Sequence, residues 1–367
     1  MHNAASRILY ALEAVNASGI FSMHTRAAFL FYRSFQRFPM PANQYTREPY
    51  PDHPCRTPSD LAQRLLDNGM TGVNRETLTM RIEQVGYFRL KGYWYPFLTP
   101  DRENPDKKRL PFTTPTSFTT IWDRYLFDQE LRLVAFDGII TIENFLKNFM
   151  AMELSQFAGP FGYMTNEGLP GLSPQEHGAC LQTFLSSYSK SRLTYIEHFR
   201  HKYREPLPPY WMIVGCLSYG AFKETMFKGA PDSIRRKLAT RLRIINRNSN
   251  PGFSGDVKIL SNWLETIRQV RNITAHHDRL WNVRNIKIMP QLPRLDREHP
   301  DWWGNAWEPF HHTQGTASFF TMENHLLAAI GSRRWRDRFI SLMGVHPEIP
   351  QEDMGFPDGW RSLPVWQ

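Results

Sequence analysis

The sequence predicts an all-α fold, and three observations support this prediction. Apolar residues recur every three or four positions over several long segments, which is typical of helices that pack one face against a core. No segment shows a convincing alternation of apolar and polar residues, the pattern of a half-buried strand. Hydrophobic residues make up 41% and charged residues 22% of the 367 residues, which is a globular composition.

The first 56 residues predict an N-terminal extension that ends in a proline-rich linker. Five prolines fall between Pro39 and Pro54, and proline disrupts a helix interior because it lacks the amide N–H. Two helices then follow, the first capped by Thr57 or Ser59 and ended by Asn68-Gly69, and the second running from Arg75 to about Val85.

An aromatic and basic segment follows at Gly86–Phe97. Its rings could stack on unpaired bases, or they could pack two helices together, and we favour packing because aromatic side chains usually fill cores. The charged, proline-rich residues 101–115 predict a loop.

The remaining periodic segments predict further helices. We expect them at 117–155, where Gly138 can bend or split the helix, at 174–203, from Tyr210 past Phe222, at 256–281 and near 321–342. These elements predict a helical domain over 57–290 and a tryptophan-rich C-terminal extension with one helix over 291–367.

The formal charge of +9 favours a polyanionic partner, and the basic run 231–250 concentrates that charge. The run is either a track for RNA phosphates or an ordinary solvated helix face. The candidate phosphate contacts are Arg235, Arg236, Lys237, Arg241 and Arg243.

The cysteine pattern and hydropathy exclude other classes of protein. Three widely spaced cysteines form neither a zinc motif nor a disulfide framework, so we expect no metal, no cofactor and a cytoplasmic location. No run of eighteen apolar residues occurs, so we expect no membrane partner.

The most informative segment is 260–282. On a regular helix one face would form a stripe toward the core, which consists of Trp263, Ile267, Val270, Thr274, His277 and Trp281. The opposite face would carry Arg268, Asn272 and His276, with Arg271 and Arg279 in a stripe beside it.

This face is either a solvated basic surface or a site for a phosphodiester. Histidine can move protons near neutral pH and arginine holds phosphate bidentately. RNA cleavage by the 2′-hydroxyl needs a base and an acid, so a two-fold dimer bringing two copies of His276 together would supply both. A metal site is the weaker interpretation, because His276-His277-Asp278 lacks the i, i+4 spacing of helical zinc ligands.

The sequence resembles the Abi family (AbiD/AbiF-like) of abortive-infection proteins, within the HEPN superfamily. The resemblance rests on four blocks in the family's order: Gly86–Trp94; Tyr125–Asp128 with Leu131-Arg132; Pro208–Trp211 with Leu217–Gly220; and Arg271-Asn272-Ile273-Thr274-Ala275-His276, extended to Asn282. Gly215 departs from the family, which often has Glu at this position.

The resemblance implies an HEPN-like helical bundle and a metal-independent endoribonuclease toxin whose site is completed by dimerisation. Arg271 would bind the phosphate, His276 would act as the base or acid, and Asn272 would orient the histidine or the scissile group. A small antitoxin RNA restrains some members of the family. The alternative is a non-catalytic HEPN protein that binds RNA as a scaffold in phage defence.

Overall fold

The computed structural model describes residues 56–100, 108–245, 255–282, 289–313 and 315–367. Helices dominate these residues, which confirms the all-α prediction. The predicted N-terminal extension and linker lie outside the described residues, apart from Arg56. The unit that contains all described residues extends from Arg56 to Gln367.

The helices of this unit fall into an N-terminal, a central and a C-terminal group. The N-terminal group is α1 (Pro58–Asp67), α2 (Arg75–Val85) and α3 (Tyr87–Trp94). The central group is α4 (Phe118–Ala158), α5 (Pro174–Lys190), α6 (Thr194–Lys202), α7 (Tyr210–Cys216), α8 (Tyr219–Phe222), α9 (Asp232–Arg241) and α10 (Val257–Ala275). The C-terminal group is α11 (Ala317–Ala329) and α12 (Arg334–Val345).

Short strands connect the first two groups. Strand β1 (Met70–Thr71) pairs in parallel with β4 (Thr116–Ser117), and β2 (Leu98–Pro100) pairs antiparallel with β3 (Lys108–Phe112). The second pair lies partly within the region predicted as loop. These strands join α3 to the start of α4.

Helix α4 is the centre of the fold. It has 41 residues and spans about 60 Å, and it contacts α3, α7, α9, α10, α11 and α12. Gly138 neither splits the helix nor lies at its surface. A Cβ there would stand 2.3 Å from Glu323 Oε1 and 2.7 Å from Trp335 Nε1, so this glycine permits the close approach of α11 and α12.

The helix predicted at 174–203 is instead two helices, α5 and α6. The chain is extended at Ser191 and Leu193, and Arg200 donates to the carbonyl of Ser191 (3.0 Å) and to that of Tyr188. Arg200 therefore binds carbonyl groups at the end of α5, where the last turn of a helix leaves acceptors without helical partners.

The helix predicted from Tyr210 past Phe222 is also interrupted. The chain is extended at Leu217 and Ser218, and the Ser218 hydroxyl accepts from the Ala221 N–H to cap α8. Lys147 of α4 donates to the Leu217 carbonyl at 2.6 Å. A π-helical turn over Lys223–Phe227 then continues α8.

The C-terminal residues contain two helices where one was predicted. Gly331, with a φ of 88°, separates α11 from α12. Both helices contact α4. A cluster of buried aromatic side chains closes this end of the molecule and consists of Phe320, Trp335, Phe339, Phe356, Trp360 and Trp366.

Candidate ribonucleic-acid site at the end of α10

Helix α10 buries the apolar stripe that the sequence predicts. Trp263, Ile267 and Val270 are fully buried and Thr274 is nearly so. The N-cap Asp256 accepts from the N–H groups of Lys258 and Ile259. The predicted continuation to residue 281 is wrong, because the helix ends at Ala275.

The helix ends in a Schellman motif that places a histidine where glycine is usual. The His277 N–H donates to the Thr274 carbonyl (3.2 Å) and the Asp278 N–H donates to the Ile273 carbonyl (2.9 Å). His277 adopts a left-handed backbone with a φ of 59°. Its side chain is exposed, so the core position expected for His277 is wrong, since the helix does not extend that far.

His276 remains on the path of the helix. Its N–H donates to the Asn272 carbonyl at 2.9 Å, and its side chain is exposed. The predicted stripe of Arg268, Asn272 and His276 therefore survives as far as His276. The neighbouring stripe does not, because Arg279 lies beyond the turn.

A buried carboxylate fixes the chain just after this turn. Asp128 of α4 accepts from the N–H groups of Leu280 (3.0 Å) and Trp281, and from the Tyr93 hydroxyl (2.5 Å). It also forms an ion pair with Arg132. We call these contacts the Asp128 clamp; it buries Trp281 without any helical continuation.

The clamp has clear electrostatic consequences. Burial raises the pKa of Asp128, whereas the Arg132 guanidinium, the Tyr93 hydroxyl and the two N–H groups oppose that shift. Burial and the neighbouring Asp128 charge raise the pKa of Tyr93. Tyr93 therefore stays protonated and can donate to Asp128.

The four blocks of the resemblance meet around α10. Tyr93 and Trp94 of the first block are both buried, as the packing interpretation expects, whereas Phe88 of the same block is 83% exposed. Asp128 and Arg132 supply the second block. Tyr219 of the third block donates to the Leu264 carbonyl of α10 at 3.1 Å.

Two of the three guanidinium groups expected beside His276 are engaged elsewhere. Arg268 Nε donates to both carboxylate oxygens of Glu265, at 2.9 and 3.0 Å. Arg279 donates to the Gly92 carbonyl, and a Cβ at Gly92 would lie 3.4 Å from the Arg279 side chain. Both arginines thus hold the fold around the site.

Arg271 differs from these two arginines. Its Nε is buried and lacks a hydrogen-bond partner among the described residues, where its side chain also forms no ion pair. A buried donor without a partner costs about 1–3 kcal/mol, and more when it is charged. Arg271 is therefore ready to receive an acceptor such as a phosphate oxygen.

Glu265 connects α10 to the π-helical turn. It forms an ion pair with Lys223 at 3.0 Å as well as with Arg268. The hydrogen bonds from Arg268 and Lys223 lower the pKa of Glu265 and keep it ionised. This network occupies the start of the predicted polar stripe.

Most of the basic run is paired within the molecule. Arg235 and Arg236 pair with Asp232, and Lys237 pairs with Glu153 at 2.6 Å. These pairs reduce the charge that the run presents to a polyanion. The assignment of these residues as an RNA track remains a prediction.

The last two residues of the predicted track lie near the C-terminal helices. Arg241 donates to the Ala329 carbonyl at the end of α11. Arg243 has a left-handed backbone, with a φ of 56°. Neither forms an ion pair with a carboxylate in the described part of the chain.

The Tyr195 side chain of α6 lies against Gly215 of α7. A Cβ at Gly215 would lie 2.1 Å from the Tyr195 hydroxyl of α6. A glutamate here would have to displace the Tyr195 ring. The hydroxyl thus occupies space that a side chain at position 215 would need.

A possible metal-ligand group involves none of the predicted site residues. Within the described residues Asp296, Glu298 and His299 bring one ligand atom each within 4.8 Å of one another. The His299 ring already contacts Asp296 at 2.7 Å.

Among the described residues, each helix is too short or too polar to cross a membrane.

Sequence reasoning missed two features of this site. The Asp128 clamp joins residues about 150 positions apart, and only the presence of Asp128 in a family block pointed to it. The left-handed turn at His277 had no signal, since histidine replaces the glycine that usually marks such a turn.

Comparison with known proteins identifies a family for this chain. No curated protein and no solved structure matches the chain. The Abi-like protein family matches residues 80–282, a range that contains the Asp128 clamp and the whole of α10. Since this range exceeds half of the 367 residues, the chain belongs to the Abi-like protein family.

Proposed function

We propose that this protein is a metal-independent endoribonuclease that acts as a toxin in abortive infection. Membership of the Abi-like family supports the role in abortive infection and phage defence. The nuclease activity rests on one observation: the unpartnered, buried Arg271 Nε precedes the exposed His276 by five residues at the end of one helix.

The proposed reaction uses the ribose as its own nucleophile. A base removes the 2′-hydroxyl proton, the 2′-oxygen attacks the adjacent phosphorus, and an acid protonates the departing 5′-oxygen. The products are a 2′,3′-cyclic phosphate and a 5′-hydroxyl. Arg271 would neutralise the phosphate charge that builds up, His276 would transfer a proton, and Asn272 would orient the imidazole or the phosphate.

A dimer supplies the second proton-transfer group. Each chain contributes one His276, and a two-fold axis between two α10 ends brings a second His276 to the same phosphate. The HEPN-like architecture and the dimer belong to this proposal. A small antitoxin RNA that covers this surface would hold the enzyme inactive.

The activity is tested with total bacterial RNA in excess EDTA. The wild type and His312→Ala, which removes another exposed imidazole, should cleave and leave 5′-hydroxyl ends. Arg271→Ala and His276→Ala should cleave at least ~100-fold more slowly, the usual loss for a general acid or base. Loss of wild-type cleavage in EDTA, or equal cleavage by His276→Ala, would contradict the proposal.

The dimer is tested by dilution. Specific activity should fall as the protein concentration drops through the dimer dissociation constant measured by light scattering. Constant specific activity across that range would show that one chain suffices.

A second candidate is a scaffold that binds RNA without cutting it. Gly215 favours this alternative, because the Tyr195 hydroxyl takes the place of the acid often found in the family. A scaffold would bind RNA with equal affinity as wild type and as His276→Ala, and neither protein would release 5′-hydroxyl ends.

A further inference from the structure

A small basic cavity lies away from the end of α10. Its volume is about 210 Å³, and it lies between the C-terminal end of α11, the N-terminal end of α12 and residues 364–367. Three arginines line it, Arg243, Arg333 and Arg336, together with Ser332 and Asn324. No aspartate or glutamate is among its lining residues. We call it the arginine pocket.

The positive charge of the arginine pocket is largely unpaired. Arg243 and Arg333 are exposed, and in the described residues neither side chain has a hydrogen bond or an ion pair. Arg336 donates to the carbonyl of Trp366 and to the main-chain oxygen of Gln367, and it contacts Asp337 at 3.4 Å. The two like charges without such contacts, Arg243 and Arg333, would be stabilised by an anion in the cavity that they line.

Neighbouring groups add to this preference for an anion. Arg333 is the N-cap residue of helix α12 and provides no side-chain cap, and it lines the pocket. The N-terminus of a helix also carries partial positive charge. His325 forms another wall; its ring contacts the Leu242 carbonyl at 3.1 Å and is uncharged at neutral pH.

The pocket is separate from the candidate nuclease site. The His325 ring contacts Trp263, with ring centroids 5.5 Å apart, in the first half of α10. Arg271 lies eight residues further along the helix, or about 12 Å along its axis. A small ligand bound in the arginine pocket would therefore not reach Arg271.

We propose that the arginine pocket binds a phosphate group. Guanidinium groups bind phosphate oxygens in bidentate geometry. The cavity is smaller than the ~300 Å³ at which drug-sized pockets begin, so it fits a phosphate with little attached to it. The phosphate comes either from an RNA backbone or from a free phosphate or mononucleotide.

Titration calorimetry with inorganic phosphate tests the pocket itself. Wild type should bind phosphate, while Arg333→Gln and Arg243→Gln should each weaken binding at least ~10-fold. Arg334→Gln is the matched control, because Arg334 is exposed beside Arg333 but does not line the pocket. Binding no stronger than that of chloride, or equal weakening by Arg334→Gln, overturns the proposal. Far-UV circular dichroism confirms that each variant folds.

Binding of a short single-stranded RNA distinguishes the two phosphate sources. The His276→Ala background prevents cleavage during this measurement. Weaker RNA binding by Arg333→Gln, with competition by inorganic phosphate, identifies the RNA backbone; unchanged RNA binding with lost phosphate binding identifies a free phosphate or mononucleotide. Phosphate binding is independent of RNA cleavage, so failure of the proposed nuclease leaves this result intact.

Discussion

The Asp128 clamp should contribute more to stability than any surface ion pair of the same helix. Asp128→Asn keeps the size of the side chain but removes its charge, and it leaves the Arg132 guanidinium buried without a counter-ion. Removing one partner of a buried pair costs about 3–5 kcal/mol. We therefore expect the free energy of unfolding to fall by this amount, a large share of a typical total of about 5–15 kcal/mol.

Urea unfolding followed by circular dichroism measures this loss. The matched control is Asp137→Asn on α4, because Asp137 pairs with Arg338 while both side chains are about half exposed. Exposed pairs contribute about 0–1 kcal/mol, so the control should change little. The clamp also predicts a local effect: the amides of Leu280 and Trp281 should exchange hydrogen faster in Asp128→Asn.

Two outcomes would contradict a stabilising role of the Asp128 clamp. If Asp128→Asn and Asp137→Asn lose the same small free energy, the buried hydrogen bonds do not hold the turn. Unchanged exchange at Leu280 and Trp281 in a destabilised variant would show that the loss arises elsewhere in the core.

Three further predictions concern single residues. His277→Gly should raise the free energy of unfolding by about 0.5–1 kcal/mol, because relief of the left-handed strain exceeds the added flexibility of the unfolded chain. A lower free energy of unfolding, measured by urea denaturation, would contradict this. Burial lowers the pKa of His325 to about 4 from 6.5, so only the unfolded chain binds this proton between those values. His325 therefore makes its full contribution to the free energy of unfolding above pH 6.5. Acidification from pH 7.5 to pH 5 should lower that free energy by about 2 kcal/mol, and His325→Gln should lack this part of the pH dependence. Gly138→Ala should cost at least about 1–3 kcal/mol because its Cβ meets the Glu323 carboxyl, whereas Gly178→Ala, an exposed helical site with open space, should stabilise; equal melting temperatures would refute the steric argument.

Helical periodicity predicted the elements whose stability depends on one buried face. The stripe from Trp263 to Thr274 is buried as expected, because spacing alone decides which positions of a regular helix face the core. The same argument failed where the helix stopped. His277 was expected in the core, yet the hydrogen bonds of the Schellman motif turn the chain before it.

Helix breaks without glycine or proline were the main errors. The interruptions at Ser191 and Ser218 depend on distant partners, Arg200 and Lys147, which donate to nearby carbonyls. Such contacts satisfy helix ends through tertiary structure, so no local pattern announces them. Gly138 gave the opposite error, because this glycine was expected to bend or split the helix and instead is a buried residue inside an unbroken helix.

The site residues were predicted as a pattern, but their different roles come only from the tertiary contacts. Composition and spacing placed Arg268, Arg271 and Arg279 together as equivalent charges around His276. The structure assigns Arg268 to Glu265 and Arg279 to Gly92, which leaves Arg271 with the open donor. In the proposed site a phosphate would therefore meet one unpaired guanidinium rather than a diffuse basic face.

The turn that carries His276 combines a destabilising and a stabilising contribution. The left-handed backbone of His277 costs about 1–2 kcal/mol. The Asp128 clamp, a few residues later, holds the chain beyond this turn through the N–H groups of Leu280 and Trp281. Backbone strain persists only where surrounding contacts over-determine the conformation, and here those contacts fix the chain on one side of the turn while α10 fixes the other. His276 is therefore exposed on a backbone held from both sides, which would position its imidazole for the proposed proton transfer.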